Sequence, residues 1–457
     1  MKSSRAARTP ANARHLAVEL LTRVEAQKAY SNLLLDKLLK QSGLERLDAA
    51  FATELVYGTL QHQLTIDYYL QKFVAKGWAK LEPWVRNLLR ISFYQLYYLD
   101  RVPAHAAINE AVELAKRLGH RGISGMVNGV LRNVERQKAS LEIPDSLPLV
   151  KRLSLTYSHP EWMIKQWLGS FGEEETARIC QANNEPPHAS IRVSPGKRTR
   201  EQLLAELQEQ GIDASPSPLS AAGIVVRQAG NMADTDGYRE GLFTIQDESS
   251  MLVGEAVDPR PGMSVLDCCA APGGKTTHMA ELMNDQGMVI GCDIHEHKEA
   301  LIRKQAQRLG LTSIQTLAAD ARTLSGRFPA ESFDRVLLDA PCSGLGVIRR
   351  KPDLKWAKEP NEVKALSRIQ AELLEAVHPL VKPGGLLVYS TCTIAAEENE
   401  EQIRRFLLKH PQFTLSAFPS AFSPVEQRTA AKSSGMLQLL PHHYNSDGFF
   451  ICRLQKA

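Results

Sequence analysis

The sequence predicts a three-part protein: an all-α front over residues 1–140, a small α+β module over 150–240, and a C-terminal α/β domain over 241–457. Three observations carry this reading. At 457 residues and 43% hydrophobic content, the chain is too long for one ordinary domain and apolar enough to fill several cores. Apolar residues follow helical spacing in the front, whereas after Gly241 short apolar runs alternate with helical stretches. Charge divides along the same line, with 21 Lys and Arg against 12 Asp and Glu in residues 1–140, and 34 against 39 in the remainder.

Residues 12–138 read as helix. Ile108, Ala111, Val112, Ala115 and Leu118 form one apolar stripe, and Val127, Val130, Leu131 and Val134 form another. Pro10, Pro83 and Pro103 fall between helices, and the stretch Ile143 to Pro148 reads as a linker. The basic excess of this front points to a polyanion partner, with Arg86, Arg90, Arg101, Lys116, Arg117 and Arg121 as its candidate basic face. The N-terminal Lys2, Arg5, Arg8 and Arg14 precede no apolar signal core, and no apolar run reaches the roughly 18 residues of a membrane span. A cytoplasmic protein is expected.

In the middle, a helix is expected over 161–170, a strand over 190–193, a helix over 200–210 and a strand over 224–227, with 213–222 showing little pattern. Beyond Gly241, apolar runs at 264–268, 288–292, 314–317, 335–338 and 386–389 alternate with helical spans. This predicts a doubly wound parallel sheet, which binds its ligand at the carboxyl ends of the strands.

The strand ends are chemically distinctive. The first run leads into Cys269-Ala270-Ala271-Pro272-Gly273-Gly274-Lys275, a small-residue turn that lets backbone approach a ligand. A Walker phosphate loop would need glycine where Cys269 stands, so ATP hydrolysis is disfavoured. The turn is not GxGxxG, and no basic residue accompanies Asp293 to meet a 2′-phosphate, so a nicotinamide cofactor is disfavoured too. Asp293 ends the second run, Asp320 follows the third and Asp339 ends the fourth. Three carboxylates suit S-adenosylmethionine, which offers ribose, adenine and a sulfonium but no phosphate.

Seven scattered cysteines without a CxxC pair exclude a disulfide framework, and no structural metal is expected. Cys342, in Asp339-Ala-Pro-Cys-Ser-Gly344, and Cys392, in Ser390-Thr-Cys-Thr393, stand at strand ends and are candidates for chemistry. Cys180 and Cys452 read as small core residues. Arg349, Arg350 and Lys351, with Lys355 and Trp356, follow the Cys342 turn and are candidate contacts to the polyanion partner by phosphate pairing and stacking.

Together CAAPGGKT, DAPCSG and STCT resemble the RNA cytosine-5 methyltransferases over roughly Thr244 to Leu454, including Asp447-Gly-Phe-Phe450 and the lead-in Gln246-Asp-Glu-Ser-Ser250. Residues 50–60, 88–116 and 125–134 resemble the NusB RNA-binding domain. The resemblance implies a NusB-like domain at 1–140, an RNA-contacting module at 150–240 and a Rossmann-like S-adenosylmethionine-dependent methyltransferase domain at 241–457. It assigns Cys269 to Lys275, Asp293, Asp320 and Asp339 to the cofactor, Cys392 to the nucleophile and Cys342 to product release, with Asp339 also stabilising charge at N3 and the exocyclic N4 as the adduct forms.

The fusion implies small-subunit, 16S ribosomal RNA as partner, free or in an early assembly state, for a monomeric enzyme without metal or membrane. Transfer RNA or another ribosomal cytosine remains open at this point. So does a non-catalytic RNA-binding assembly factor, although a scaffold would need neither Cys342 nor Cys392.

Overall fold

The computed structural model describes residues 12–27, 31–75, 77–227, 229–422, 425 and 435–457. Lys2, Arg5, Arg8 and Pro10 lie outside the described residues. The chain divides into two compact units, one of residues 1–185 with 348–357, the other of 186–347 with 358–457. Among the described residues no helix is long and apolar enough to cross a membrane.

The first unit is helical: α1 (Ala13–Gln27), α2 (Ser31–Ser42), α3 (Arg46–Leu70), α4 (Pro83–Tyr98), α5 (Ala104–Leu118), α6 (Arg121–Gln137), α7 (Leu149–Tyr157) and α8 (Glu161–Asn184). Pro83 opens α4 at a position where a missing N–H costs nothing, and Pro103 is the N-cap of α5. Of the expected stripes, Ile108, Ala111 and Ala115 on α5 and Val127, Val130, Leu131 and Val134 on α6 are buried, with Val112 and Leu118 half-buried beside them.

One expectation about residues 150–185 changes. The helix expected to end at Ser170 resumes beyond Gly172, whose φ of +80° breaks it, and runs to Asn184. Within the helical unit, Leu64 N donates to Ser158 Oγ at 2.9 Å, tying α3 to the end of α7.

The second unit holds two sheets. The smaller is built from β1 (Ala189–Val193), β2 (Asp213–Pro216), β3 (Gly223–Arg227) and β4 (Phe243–Ile245), in the order β2-β3-β1-β4 and antiparallel throughout. Between β1 and β2 lies α9 (Arg200–Glu209), started by a capping box of Thr199 and Gln202. The low-contrast stretch after 213 contains β2, an edge strand of only four residues.

After the short α10 (Asp236–Arg239) and α11 (Glu248–Val257), strands and helices alternate: β5 (Ser264–Asp267), α12 (Gly274–Leu282), β6 (Met288–Asp293), α13 (Glu296–Leu309), β7 (Ile314–Ala318) and β8 (Phe333–Asp339). The four-residue α14 (Leu354–Ala357) belongs to the helical unit. Then come α15 (Pro360–Val377), β9 (Val381–Thr391), α16 (Glu400–Lys409), β10 (Phe413–Leu415), β11 (Met436–Leu439) and β12 (Phe449–Lys456).

The larger sheet runs β10-β12-β9-β8-β5-β6-β7, with β11 on β12. Strands β5 to β9 are mutually parallel as expected, while β12 adds antiparallel to β9. Strand β5 has β6 on one side and β8 on the other, so successive connections leave it in opposite directions. That reversal opens the crevice in which such sheets hold ligands.

Candidate active site

The site is built at the carboxyl ends of β5, β6, β7, β8 and β9. Beyond β5 the chain turns through Gly273, at φ +105°, into α12, which begins with no side-chain cap. A Cβ on Gly273 would stand 3.1 Å from the Ile302 Cα, and one on Gly291 3.0 Å from Thr276 Cγ2, so glycine keeps this cradle open. Asp267, the last residue of β5, is fully buried; its Oδ2 accepts from Thr276 Oγ1 at 2.7 Å and its Oδ1 has no partner. Burial, reinforced by the nearby Asp339 charge, raises the Asp267 carboxyl to about 7 against the opposing Thr276 hydrogen bond.

Asp293 ends β6, accepts from His295 N at 3.1 Å and is 7% exposed. Asp320 caps the turn after β7, and Arg322 holds it through hydrogen bonds of 2.7–3.1 Å that depress its pKa. Asp339 ends β8, its Oδ2 accepting from Lys275 Nζ and its Oδ1 from Ser390 Oγ, both at 2.8 Å.

The two strand-end cysteines meet. Cys342 Sγ and Cys392 Sγ lie 3.3 Å apart as free thiols, although 50 residues separate them. The Cys342 pKa is pushed well up, first by its hydrogen bond to Cys392, then by burial and by the charges of Cys392, Glu398 and Asp339. The raised pKa favours the protonated form of Cys342. Burial lowers the Lys275 pKa, but Asp339 and Cys392 more than offset this, so Lys275 remains a cation within electrostatic reach of Cys392. Burial leads the causes that push Cys268, Cys269, Cys180, Cys292 and Cys452 upward, the third and fourth to about 12, which leaves these thiols inert.

The loops that carry the thiols approach closely. Gly346 N donates to Cys392 O at 3.0 Å and Gly448 N to Gly346 O at 2.8 Å; a Cβ on Gly346 would fall 2.0 Å from Gly448 O. The motif around Asp447-Gly-Phe-Phe450 thus stands against the Cys342 turn.

Several sequence expectations need correction. Arg349 is 2% exposed and donates twice to Ala182 O in the last turn of α8, at 2.9 and 3.2 Å. Lys355, 1% exposed, donates to Gln61 O, Ser158 O and Asn184 Oδ1 at 3.0, 3.1 and 2.7 Å. Trp356 donates to Leu60 O at 2.9 Å and packs on the helical core. Residues 348–357 belong to the helical unit, and the cations of Arg349 and Lys355 are buried in it against backbone carbonyls, so these two are not surface RNA contacts, while Trp356 is half-buried. Arg350 is half-buried and Lys351 exposed.

The basic face shrinks likewise. Arg90 is buried against Asp67 through two 2.7 Å bonds, and Arg86 pairs with Glu25. Lys116 is exposed and pairs with Glu113 at 2.6 Å, while Arg101, Arg117 and Arg121 are also exposed.

Sequence reasoning also missed Arg192. Fully buried on β1, it pairs with Glu281 at 2.9 Å and donates to Gly274 O at 2.7 Å, bracing the start of α12 from the small sheet. An arginine inside a strand of alternating pattern gives no sign of such a partner 89 residues away.

An α/β sheet with a glycine turn, strand-end acids and a paired-thiol centre defines a methyltransferase-type domain. A family model described as 16S rRNA methyltransferase RsmB/F matches residues 255–455, a NusB family model matches 11–136, and a ferredoxin-like domain model of the same methyltransferases matches 159–233. The probable ribosomal RNA small subunit methyltransferase B of Bacillus subtilis (strain 168) is 45% identical over 97% of this chain and 98% of its own. The ribosomal RNA small subunit methyltransferase B of Salmonella paratyphi B is 34% identical over 97% and 99%. Among solved structures, PH0851 has a TM-score of 0.82 at 29% identity, covering 97% of this chain and 98% of that one. A methyltransferase homolog protein from Pyrococcus horikoshii has a TM-score of 0.58 at 28% identity, over 68% of this chain and 100% of that one.

The chain belongs to the 16S rRNA methyltransferase RsmB/F family. It is an S-adenosylmethionine-dependent rRNA methyltransferase with a NusB-type helical domain and a ferredoxin-like middle module.

Proposed function

We propose that this chain methylates C5 of one cytosine in 16S ribosomal RNA, with Cys392 as nucleophile and Cys342 as the group that releases the product. The observation that carries the reading is the 3.3 Å thiol pair beside the Asp339–Lys275 ion pair. The turn from Cys269 to Lys275, with Asp293, Asp320 and Asp339, would hold S-adenosylmethionine. The open glycine cradle and the unpartnered buried oxygen of Asp267 fit a ligand of that kind. When bound, S-adenosylmethionine supplies an electrophilic methyl group.

Cytosine C5 is too weak a nucleophile to take that methyl unaided. The Cys392 thiolate, favoured by the Lys275 cation, adds to C6 and shifts electron density onto C5. Asp339, held by Lys275 and Ser390, presents a fixed acceptor to the exocyclic N4 and orients the ring. Once Cys392 is bonded to carbon its charge is gone, and with it part of what keeps Cys342 protonated. Cys342 then ionises to solvent and accepts the C5 proton. The C–H electron pair restores the C5–C6 double bond, and the C6–S pair returns to Cys392.

A stacked base cannot reach these sulfurs, so the target is extruded or unpaired. Exposed Lys351, with Arg101, Arg117 and Arg121, supplies phosphate contacts in this reading. The enzyme is read as monomeric and cytoplasmic, acting on free or early-assembly RNA without a metal. Bisulfite sequencing of 16S RNA incubated with the wild type, Cys392→Ala and Cys342→Ala tests it. One protected cytosine is expected with wild type, none with Cys392→Ala, and a covalent protein–RNA band with Cys342→Ala. Normal methylation by Cys392→Ala would refute it.

A further inference from the structure

One buried pair of side chains, Glu398 and Gln370, grips the residues on either side of Cys342. On the C-terminal side, Ser343 N donates to Glu398 Oε2 at 2.9 Å, and Ser343 Oγ bonds Glu398 Oε1. On the N-terminal side, Pro341 O accepts from Gln370 Nε2 at 2.9 Å, and the same nitrogen donates to Glu398 Oε2 at 2.9 Å. Glu398 and Gln370 are both fully buried. Their grip extends to the second loop, because Ser343 Oγ lies 2.8 Å from Thr393 Oγ1, next to Cys392, and Tyr389 Oη donates to Glu398 O at 2.7 Å.

A buried carboxylate is costly unless its oxygens are hydrogen-bonded, and both oxygens of Glu398 are bonded to the Cys342 turn, one of them also to Gln370. Burial leads the causes that raise the Glu398 pKa, against its bonds from Ser343, Gln370 and Thr393. From this geometry we infer that Glu398 and Gln370 are positioning residues that hold the Cys342 sulfur where it must accept the C5 proton. The inference rests on the reading of Cys342 as the release group. The requirement is specific to the second half of the reaction: Cys392 directly follows β9, whereas Cys342 sits in a turn with no strand to fix it.

Glu398→Met keeps the bulk but removes both acceptor oxygens, so Ser343 N–H and the Gln370 amide lose their shared partner. Loss of alignment by about 1 Å costs roughly 100-fold in a step of this kind. The expected result is that Glu398→Met forms the adduct and transfers methyl but releases product about 100-fold slower, accumulating a covalent RNA–protein band as Cys342→Ala does. S-adenosylmethionine affinity should stay within about 2-fold, because the carboxylate faces the turn. Gln370→Met, which keeps bulk and removes the donating amide, should accumulate the same band to a smaller extent and decides the matter if Glu398→Met does not fold.

The test is single-turnover assay of the full chain with unmodified 16S RNA, reading methyl incorporation and the covalent band separately, with Cys342→Ala alongside. If Cys342→Ala gives no band, the underlying reading of Cys342 is wrong. If Cys342→Ala traps adduct while both clamp variants release product at the wild-type rate, the clamp is refuted. A clamp variant that loses cofactor binding and adduct formation together has only a structural role, and that also overturns the inference.

Discussion

Lys355 offers a quantitative test of whether residues 348–357 serve the protein core or the RNA. Its ammonium is fully buried and donates to three oxygens, none of them a carboxylate. Burial drives its pKa from the ordinary 10.5 down to about 7, with only a small opposing pull from Cys180. The unfolded chain therefore binds one more proton than the folded one between about pH 7 and 10.5. Stability should rise with pH across that window, by at most about 1.4 kcal/mol per pH unit, and should stop rising above it. Replacing Lys355 by Met removes the proton and flattens the slope. The assay is urea unfolding of the intact chain followed by tryptophan fluorescence from pH 7 to 9.5, below the range in which tyrosines titrate. All five tryptophans, at 78, 84, 162, 167 and 356, belong to the helical unit, so the signal reports on that unit alone. The RNA-binding control is the salt dependence of affinity, which Lys355→Met should leave unchanged, since this ammonium meets no phosphate. Equal pH slopes in wild type and variant, or a shallower salt dependence in the variant, would refute the burial argument.

Three further outcomes are expected. Lys275→Met removes the cation beside Cys392, so the acid limb of the kcat/KM pH profile should move up by about one pH unit; an unmoved limb would show that the thiolate owes nothing to Lys275. Gly346→Ala places a Cβ 2.0 Å from Gly448 O and should cost about 1–3 kcal/mol in thermal unfolding while separating the thiol loops, with methylation falling further than stability explains. Reversing Arg101, Arg117 and Arg121 to Glu together should weaken 16S RNA binding and reduce the salt slope by roughly 0.7 to 0.9 for each phosphate no longer neutralised, measured by filter binding.

What could be read in the sequence follows from how local each signal is. The helices of the front and the parallel strands β5 to β9 declare themselves by period, and their ends fix where the chemistry stands. The acids, the glycine turn and both cysteines are therefore legible as strand-end residues. The 3.3 Å between two sulfurs is not, because it depends on β8 and β9 being neighbours in register, with Asp339 opposite Ser390. Arg349 and Lys355 mislead for a different reason: a run of cations looks the same whether it faces solvent or the carbonyls at the ends of α7 and α8. Glu398, Gln370 and Arg192 escape for a third reason, since a buried polar residue is recognisable only through its partner, and those partners lie 28 to 89 residues away.

One turn serves both halves of the site. The glycines that keep the β5–α12 connection open also place Lys275 in the first turn of α12, and from there its ammonium reaches Asp339 at the end of the next strand and acts on Cys392 one strand further. A shift of α12 that spoiled the cradle would carry Lys275 away from both. Arg192 guards against such a shift, because it holds Gly274 O, one residue before Lys275, and Glu281 at the far end of the same helix. The small sheet thus fixes the helix on which, in the proposed mechanism, cofactor geometry and thiolate electrostatics jointly depend. Acids on the surrounding strands favour a cationic ligand, while Lys275, paired with Asp339, also acts electrostatically on Cys392, so one cation both neutralises a strand-end acid and favours the proposed thiolate.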